Sequence, residues 1–184
     1  MKKLLAVVAG CAVLASGAAF ADPIEELRAG VYAQDCCGFG SDKEQGVAFN
    51  GEAVFSSPRF LSVLGAPRPV IGATIATDSD ATSQAYAGLD WTIDIASRWF
   101  VSGGVGAAIH NGETDRYDPA VDMARASNTV FYGCRVLFRL AGDVGYRLTD
   151  RLSASFHWNH ISNAGLCSDN EGLDQMGLRL GLSL

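Results

Sequence analysis

The sequence predicts an all-β protein, an eight-stranded antiparallel up-and-down transmembrane β-barrel, and three observations carry that reading. The first is a period of two. From Thr82 to Ile95, TSQAYAGLDWTIDI sets Ala85, Ala87, Leu89, Trp91, Ile93 and Ile95 on one face. Thr82, Gln84, Tyr86, Asp90, Thr92 and Asp94 take the other face, as side chains do on successive positions of a strand. From Tyr132 to Leu148, Tyr132, Cys134, Val136, Phe138, Leu140, Val144, Tyr146 and Leu148 oppose Arg135, Arg139, Asp143 and Arg147. The second observation is length: both runs far exceed the roughly five or six residues of a typical soluble strand. The third is the polar face, rich in glycine and in charges of both signs, which suits a tight lumen with lipid outside. A soluble sandwich alternates too, but on shorter strands.

The elements follow in chain order. MKKLLAVVAGCAVLASGAAFA pairs two lysines with an apolar stretch and closes in Ala19-Phe20-Ala21. It reads as a secretory signal peptide over 1–21, leaving 22–184 as one outer-membrane barrel domain. Val8-Ala9-Gly10-Cys11 resembles a lipid-attachment box, but the apolar run continues past it. Strands are expected near 24–34, 46–55, 69–77, 82–95, 99–110, 129–148, 151–164 and 173–184. With both termini periplasmic, the loops at 35–45, 78–81, 111–128 and 165–172 are external. SSPRFLSVLGAPRP is long and apolar for a periplasmic turn, and LGLSL ends in leucine where an aromatic residue is usual.

Such a barrel is only wide enough for side chains to fill, which excludes a solute pore. The net charge of −6 argues against nucleic acid as a ligand. Beyond the signal, Cys36, Cys37, Cys134 and Cys167 have no metal-site spacing, so no metal is expected. In an oxidising compartment disulfides are permitted. The loop of Cys36 and Cys37 is expected to bridge to Cys167, with Cys134 free on the lipid face of the sixth strand.

Chemistry concentrates in RLSASFHWNHISNA. Leu152, Ala154, Phe156 and Trp158 share one face, and His160 and Ser162 continue it in register. Ser153, Ser155, His157, Asn159 and Asn163 face inward, with Ile161 the misfit. A polar lumen accounts for His157 and Asn159 but not for His160 and Ser162. Polar residues at a strand end can simply meet lipid headgroups. The sharper reading is a reactive pair, because an imidazole beside a serine can take its proton during attack. A third group must orient the imidazole, and Asp169, Glu171 and Asp174 are near in sequence. Parity favours Asp174, which extends the lipid-facing set of Met176, Leu178, Leu180 and Leu184. A carboxylate there is costly unless paired.

HISNAGLCSDNEGLD closely resembles the H-x-S-N-A … N-x-G-φ-E signature of the PagL-type lipid A 3-O-deacylases. His160, Ser162, Asn163, Ala164, Asn170 and Gly172 fall on the motif, and Asp174 stands where the family acid is usually glutamate. The resemblance implies an outer-membrane esterase that removes the acyl chain at position 3 of lipid A, with a Ser-His-acid triad in the outer leaflet. It implies lipid A or lipopolysaccharide as the partner, no cofactor, and a fold for which a homodimer is one allowed assembly.

On that reading Ser162 attacks the ester, His160 shuttles the proton and Asp174 holds the imidazole. The backbone N–H of Asn163 or Ala164, with Asn170 in the loop above, would meet the oxyanion. Phe156, Trp158, Met176 and Leu178 would line the acyl chain. Asp174 is one methylene short of the family residue, so length alone predicts that Asp174→Glu keeps or raises activity. The alternative from another class is a non-catalytic small outer-membrane barrel, structural or adhesin-like.

Overall fold

The computed structural model describes residues 24–115, 118 and 120–184; the expected signal peptide, 1–21, lies outside the described residues. Eight strands close into one barrel: β1 (Ile24–Gln34), β2 (Val47–Phe55), β3 (Arg68–Ala76), β4 (Gln84–Asp94), β5 (Trp99–His110), β6 (Val136–Arg147), β7 (Leu152–Ser162) and β8 (Leu173–Ser183). Each pairs antiparallel with its neighbour in sequence, and β8 pairs antiparallel with β1. All eight are long enough, at 9 to 12 residues, for a tilted crossing of the membrane.

The alternation in the sequence becomes an inside and an outside. On β1, Arg28, Tyr32 and Gln34 are buried in the lumen while Leu27 and Val31 are exposed outward. The lumen is a connected ionic network. Glu52 meets Arg28 at 3.0 Å and Arg179 at 3.2 Å, and accepts a hydrogen bond from Tyr86 Oη at 2.9 Å. Arg179 also reaches Asp143 at 2.5 Å, and His157 Nδ1 lies 3.1 Å from the same carboxylate. Charges this deeply buried persist only because each is paired and hydrogen-bonded. The outer face is mostly apolar, with Phe49, Val105, Phe138, Leu140, Phe156 and Leu178 all exposed. A cysteine at Phe156 is therefore expected to react with a bilayer-phase probe, and one at Asn159 to resist it. The reverse pattern in mass-mapped labelling would contradict the register.

Three expectations need correction. The sixth strand begins at Val136 rather than near 129. Upstream of it, Val130, Phe131 and Tyr132 turn inward and are buried, so Tyr132 is not on the lipid face. Val130 and Tyr132 close this mouth of the barrel as part of an apolar plug with Tyr86, Ala108, Leu137, Ile161 and Leu173. The plug explains the misfit Ile161: at this level the lumen is apolar.

The cysteine pairing also differs. Cys134 is bonded to Cys167, and Cys36 and Cys37 are free. Because the 130–134 segment leaves the strand, Cys134 faces the β7–β8 loop instead of lipid. Gly133 takes φ 67° there, and a Cβ on it would lie 2.4 Å from Asp169 O and 3.1 Å from Cys167 Cβ. The close packing brings the two cysteines together at a Cα–Cα separation of 6.0 Å. Cys36 and Cys37 belong instead to a loop tied to β8. Burial, with Cys37 alongside, pushes the Cys36 thiol up to about 12, which leaves it a poor nucleophile near neutral pH.

Candidate active site

The site forms on the outer wall where β7 ends and β8 begins. Three cross-strand pairs stack along it: Phe156 opposite Leu178, Trp158 opposite Met176, and His160 opposite Asp174. Strand parity places all six outward, and directly opposed residues have Cβ atoms about 4.5–5.5 Å apart. His160 Nδ1 lies 2.8 Å from Asp174 Oδ1. An ionised carboxylate only accepts, so Nδ1 donates in this contact, and the tautomer it selects in a neutral ring leaves the Nε2 lone pair open.

Asp174 is outward in register yet fully buried, at 0% exposure. Its cover is the β1–β2 loop, which folds over the barrel rim. Gly40 N–H donates to Asp174 Oδ2 at 2.6 Å, and Trp158 Nε1–H donates to Asp174 Oδ1 at 3.1 Å. Cys36 N–H reaches Asp174 O at 3.3 Å, and Ser41 N–H reaches Gly172 O at 2.9 Å. The loop keeps its shape around Asp35, whose Oδ2 accepts from Ser41 Oγ, Lys43 N–H and Glu44 N–H at 2.7 to 3.0 Å. Sequence reasoning missed this cover. Its signal was present in Cys37-Gly38-Phe39-Gly40: a Cβ on Gly38 would sit 2.3 Å from Asp174 Oδ2, and one on Gly40 2.9 Å from Asp174 N. Phe39 between them is 82% exposed and meets Trp158 and His160 edge-on, with centroids at 6.5 and 6.4 Å.

Glu171, a rival for the acid by sequence proximity, is engaged elsewhere. It pairs with Lys43 Nζ at 2.8 Å and accepts from Phe131 N–H at 2.9 Å.

Ser162 shares the outer face with His160, two positions along β7. Its Oγ makes no hydrogen bond to another described residue, so the structure places the two on one face without closing the contact between them. Catalytic hydrogen bonds are often long before substrate binds. Asn163 is buried, and its carboxamide anchors loops by donating to Tyr132 O at 2.6 Å and to Asp169 O. Its own N–H is taken by Asn170 Oδ1 at 3.1 Å. Ala164, at φ 54°, is exposed and its N–H makes no hydrogen bond to the described residues. Phe156 and Leu178 are exposed at 52% and 71%, and Trp158 and Met176 are half-buried beside the imidazole.

Gly172 packs against the imidazole. A Cβ there would lie 2.6 Å from His160 Cε1 and 3.3 Å from Nε2. Gly172→Ala is expected to turn the ring off Asp174 and to cost about a hundredfold in ester hydrolysis, the usual scale of an ångström-level misplacement. Hydrolysis rates on barrels of matched heat-modified mobility would test this; unchanged rates would mean that the ring does not need the gap.

The family model of the lipid A 3-O-deacylases (PagL) matches residues 85–183. The chain belongs to this deacylase family. The match spans β4 to β8 and so includes His160, Ser162 and Asp174. Among solved structures, the chain is similar to the crystal structure of the outer membrane enzyme PagL, at 15% identity and a TM-score of 0.60. That alignment covers 86% of this chain and 99% of the other. Neisserial surface protein A aligns at 11% identity and a TM-score of 0.53, over 92% of this chain and all of its own. A de novo designed transmembrane β-barrel aligns at 10% identity and 0.51, over 88% and 97% of the two chains. At these identities the structural likenesses show the β-barrel fold alone. No curated protein matches the sequence.

Proposed function

We propose that this deacylase-family barrel hydrolyses the ester-linked acyl chain at position 3 of lipid A, acting from its outer wall in the outer leaflet. The observation that carries the reading is the 2.8 Å contact between His160 Nδ1 and Asp174 Oδ1 on the lipid-facing side, one outward position from Ser162. A lumen-facing ion pair would be ordinary in this barrel. An outward one, covered by its own loop, is otherwise a costly feature.

Ser162 Oγ attacks the ester carbonyl while His160 Nε2 takes its proton. The tetrahedral intermediate collapses as the imidazolium returns that proton to the departing sugar oxygen. Water, deprotonated in turn by His160, then releases the fatty acid from Ser162. Asp174 fixes the ring and stabilises its charged form. The unengaged Ala164 N–H is the backbone donor available to the oxyanion. Asn170, whose Oδ1 is occupied by Asn163 N–H, has its amide Nδ2 left to donate. The oxyanion role expected of the Asn163 N–H conflicts with that same hydrogen bond, so Asn163 supports the loop instead. Phe156, Trp158, Met176 and Leu178, with Phe39 above, supply an apolar wall for the acyl chain. The bilayer completes that surface. No step requires a metal or an organic cofactor.

A long-chain p-nitrophenyl phosphonate, which traps activated serines, tests the assignment. The expected product is a single adduct on the peptide containing Ser162, lost in His160→Asn. Absence of the adduct from folded barrel in mixed lipid–detergent micelles would favour a non-catalytic barrel.

A further inference from the structure

The β2–β3 connection is out of scale with its end of the barrel. The two other turns there, β4–β5 and β6–β7, are short, as periplasmic turns are. This one forms a 3-10 helix, Arg59–Leu64, ended by Gly65 in the left-handed region at φ 84°. None of its six residues is buried. Phe60, Val63 and Leu64 are 74%, 86% and 55% exposed.

Two observations indicate what covers them. Trp91 Nε1–H donates to Leu64 O at 2.8 Å, and Trp91 belongs to the outward register of β4 with Leu89 and Ile93. The helix is therefore fastened to the outer wall and not folded beneath the lumen. Ile93 and Ile95, at 62% and 58% exposure, continue the same apolar surface. The second observation is charge. Arg59 is exposed and makes no ion pair or side-chain hydrogen bond with another described residue. A guanidinium beside exposed apolar side chains, at the edge of a lipid-facing wall, matches a phosphodiester headgroup above acyl chains. Indole rings favour the same interface.

We propose that this helix is an interfacial foot of the barrel. Phe60, Val63 and Leu64 lie at the acyl boundary of the periplasmic leaflet, and Arg59 pairs with a phospholipid phosphate. The foot fixes the depth of the barrel from the side opposite the β7–β8 site and does not depend on the reaction proposed there.

The test places a nitroxide at Val63→Cys or, as the control, at Asp150→Cys in the β6–β7 turn, each in the full chain with Cys36→Ser and Cys37→Ser. The barrels are reconstituted in phosphatidylethanolamine–phosphatidylglycerol vesicles and checked for heat-modifiable mobility. At 63, collisions with oxygen should exceed those with a water-soluble nickel chelate several-fold; at 150 the order should reverse. Nickel preference at both positions overturns the proposal. Spin–spin broadening at 63 overturns it as well, because the surface would then be covered by a second copy. Arg59→Gln should reduce the oxygen excess at 63, and an unchanged excess removes the phosphate contact and overturns the assignment.

Discussion

Replacing Ser162 with alanine is expected to lower the rate of ester hydrolysis by about ten-thousand-fold or more, and His160→Asn by a similar factor. The double variant should be no worse than either single one, because nucleophile and base act as one unit and their losses do not add. Both side chains sit on the outer wall, outside the lumenal ion network and the apolar plug, so neither change touches what holds the barrel closed. Initial rates on a lipid ester in mixed micelles, at matched amounts of folded barrel, give the factors. Losses that multiplied in the double variant would mean that His160 and Ser162 work separately.

The second large effect is expected at Asp174. Asp174→Ala should leave roughly tenfold to a hundredfold more activity than Ser162→Ala, since an orienting carboxylate contributes less than the pair it orients. It should also loosen the loop above, because Gly40 N–H and Trp158 Nε1–H lose their acceptor. An unmade buried hydrogen bond costs about 1–3 kcal/mol. Asp174→Glu is the more discriminating change. Side-chain length taken alone predicts equal or higher activity, but the structure reverses that expectation. The aspartate already reaches His160 at 2.8 Å and is closed in by backbone so near that even a Cβ on Gly38 would collide with it. An added methylene has nowhere to go, and overpacking of this kind typically costs about 1–3 kcal/mol. Asp174→Glu should therefore be slower than the native protein and release the loop to proteolysis. Restored or raised activity would show that the loop yields and that length governs.

Much of the barrel was legible because a lipid-facing wall and an ionic lumen impose a strict period of two. Leu27, Val31, Phe138, Phe156 and Leu178 could hardly face anything but lipid. Parity likewise put His160 and Asp174 on one outer face, and cross-strand register made them opposite neighbours. What stayed hidden was non-periodic. The alternation from Tyr132 onward continues across the point where the chain leaves the sheet, so Tyr132 and Cys134 read as strand although they cap the mouth. The Cys134–Cys167 bond depends on that departure and could not be read without it. The cover over Asp174 comes from residues more than 130 positions away in sequence, through glycines whose role is the absence of a side chain.

The most direct test of the central claim is the mass of lipid A extracted from cells producing the native chain and Ser162→Ala at equal levels of folded barrel. The account predicts that the native protein removes one ester-linked acyl chain, with the loss mapped to position 3 by fragmentation, and that Ser162→Ala leaves lipid A intact. Intact lipid A in both, or the same loss in both, would contradict it.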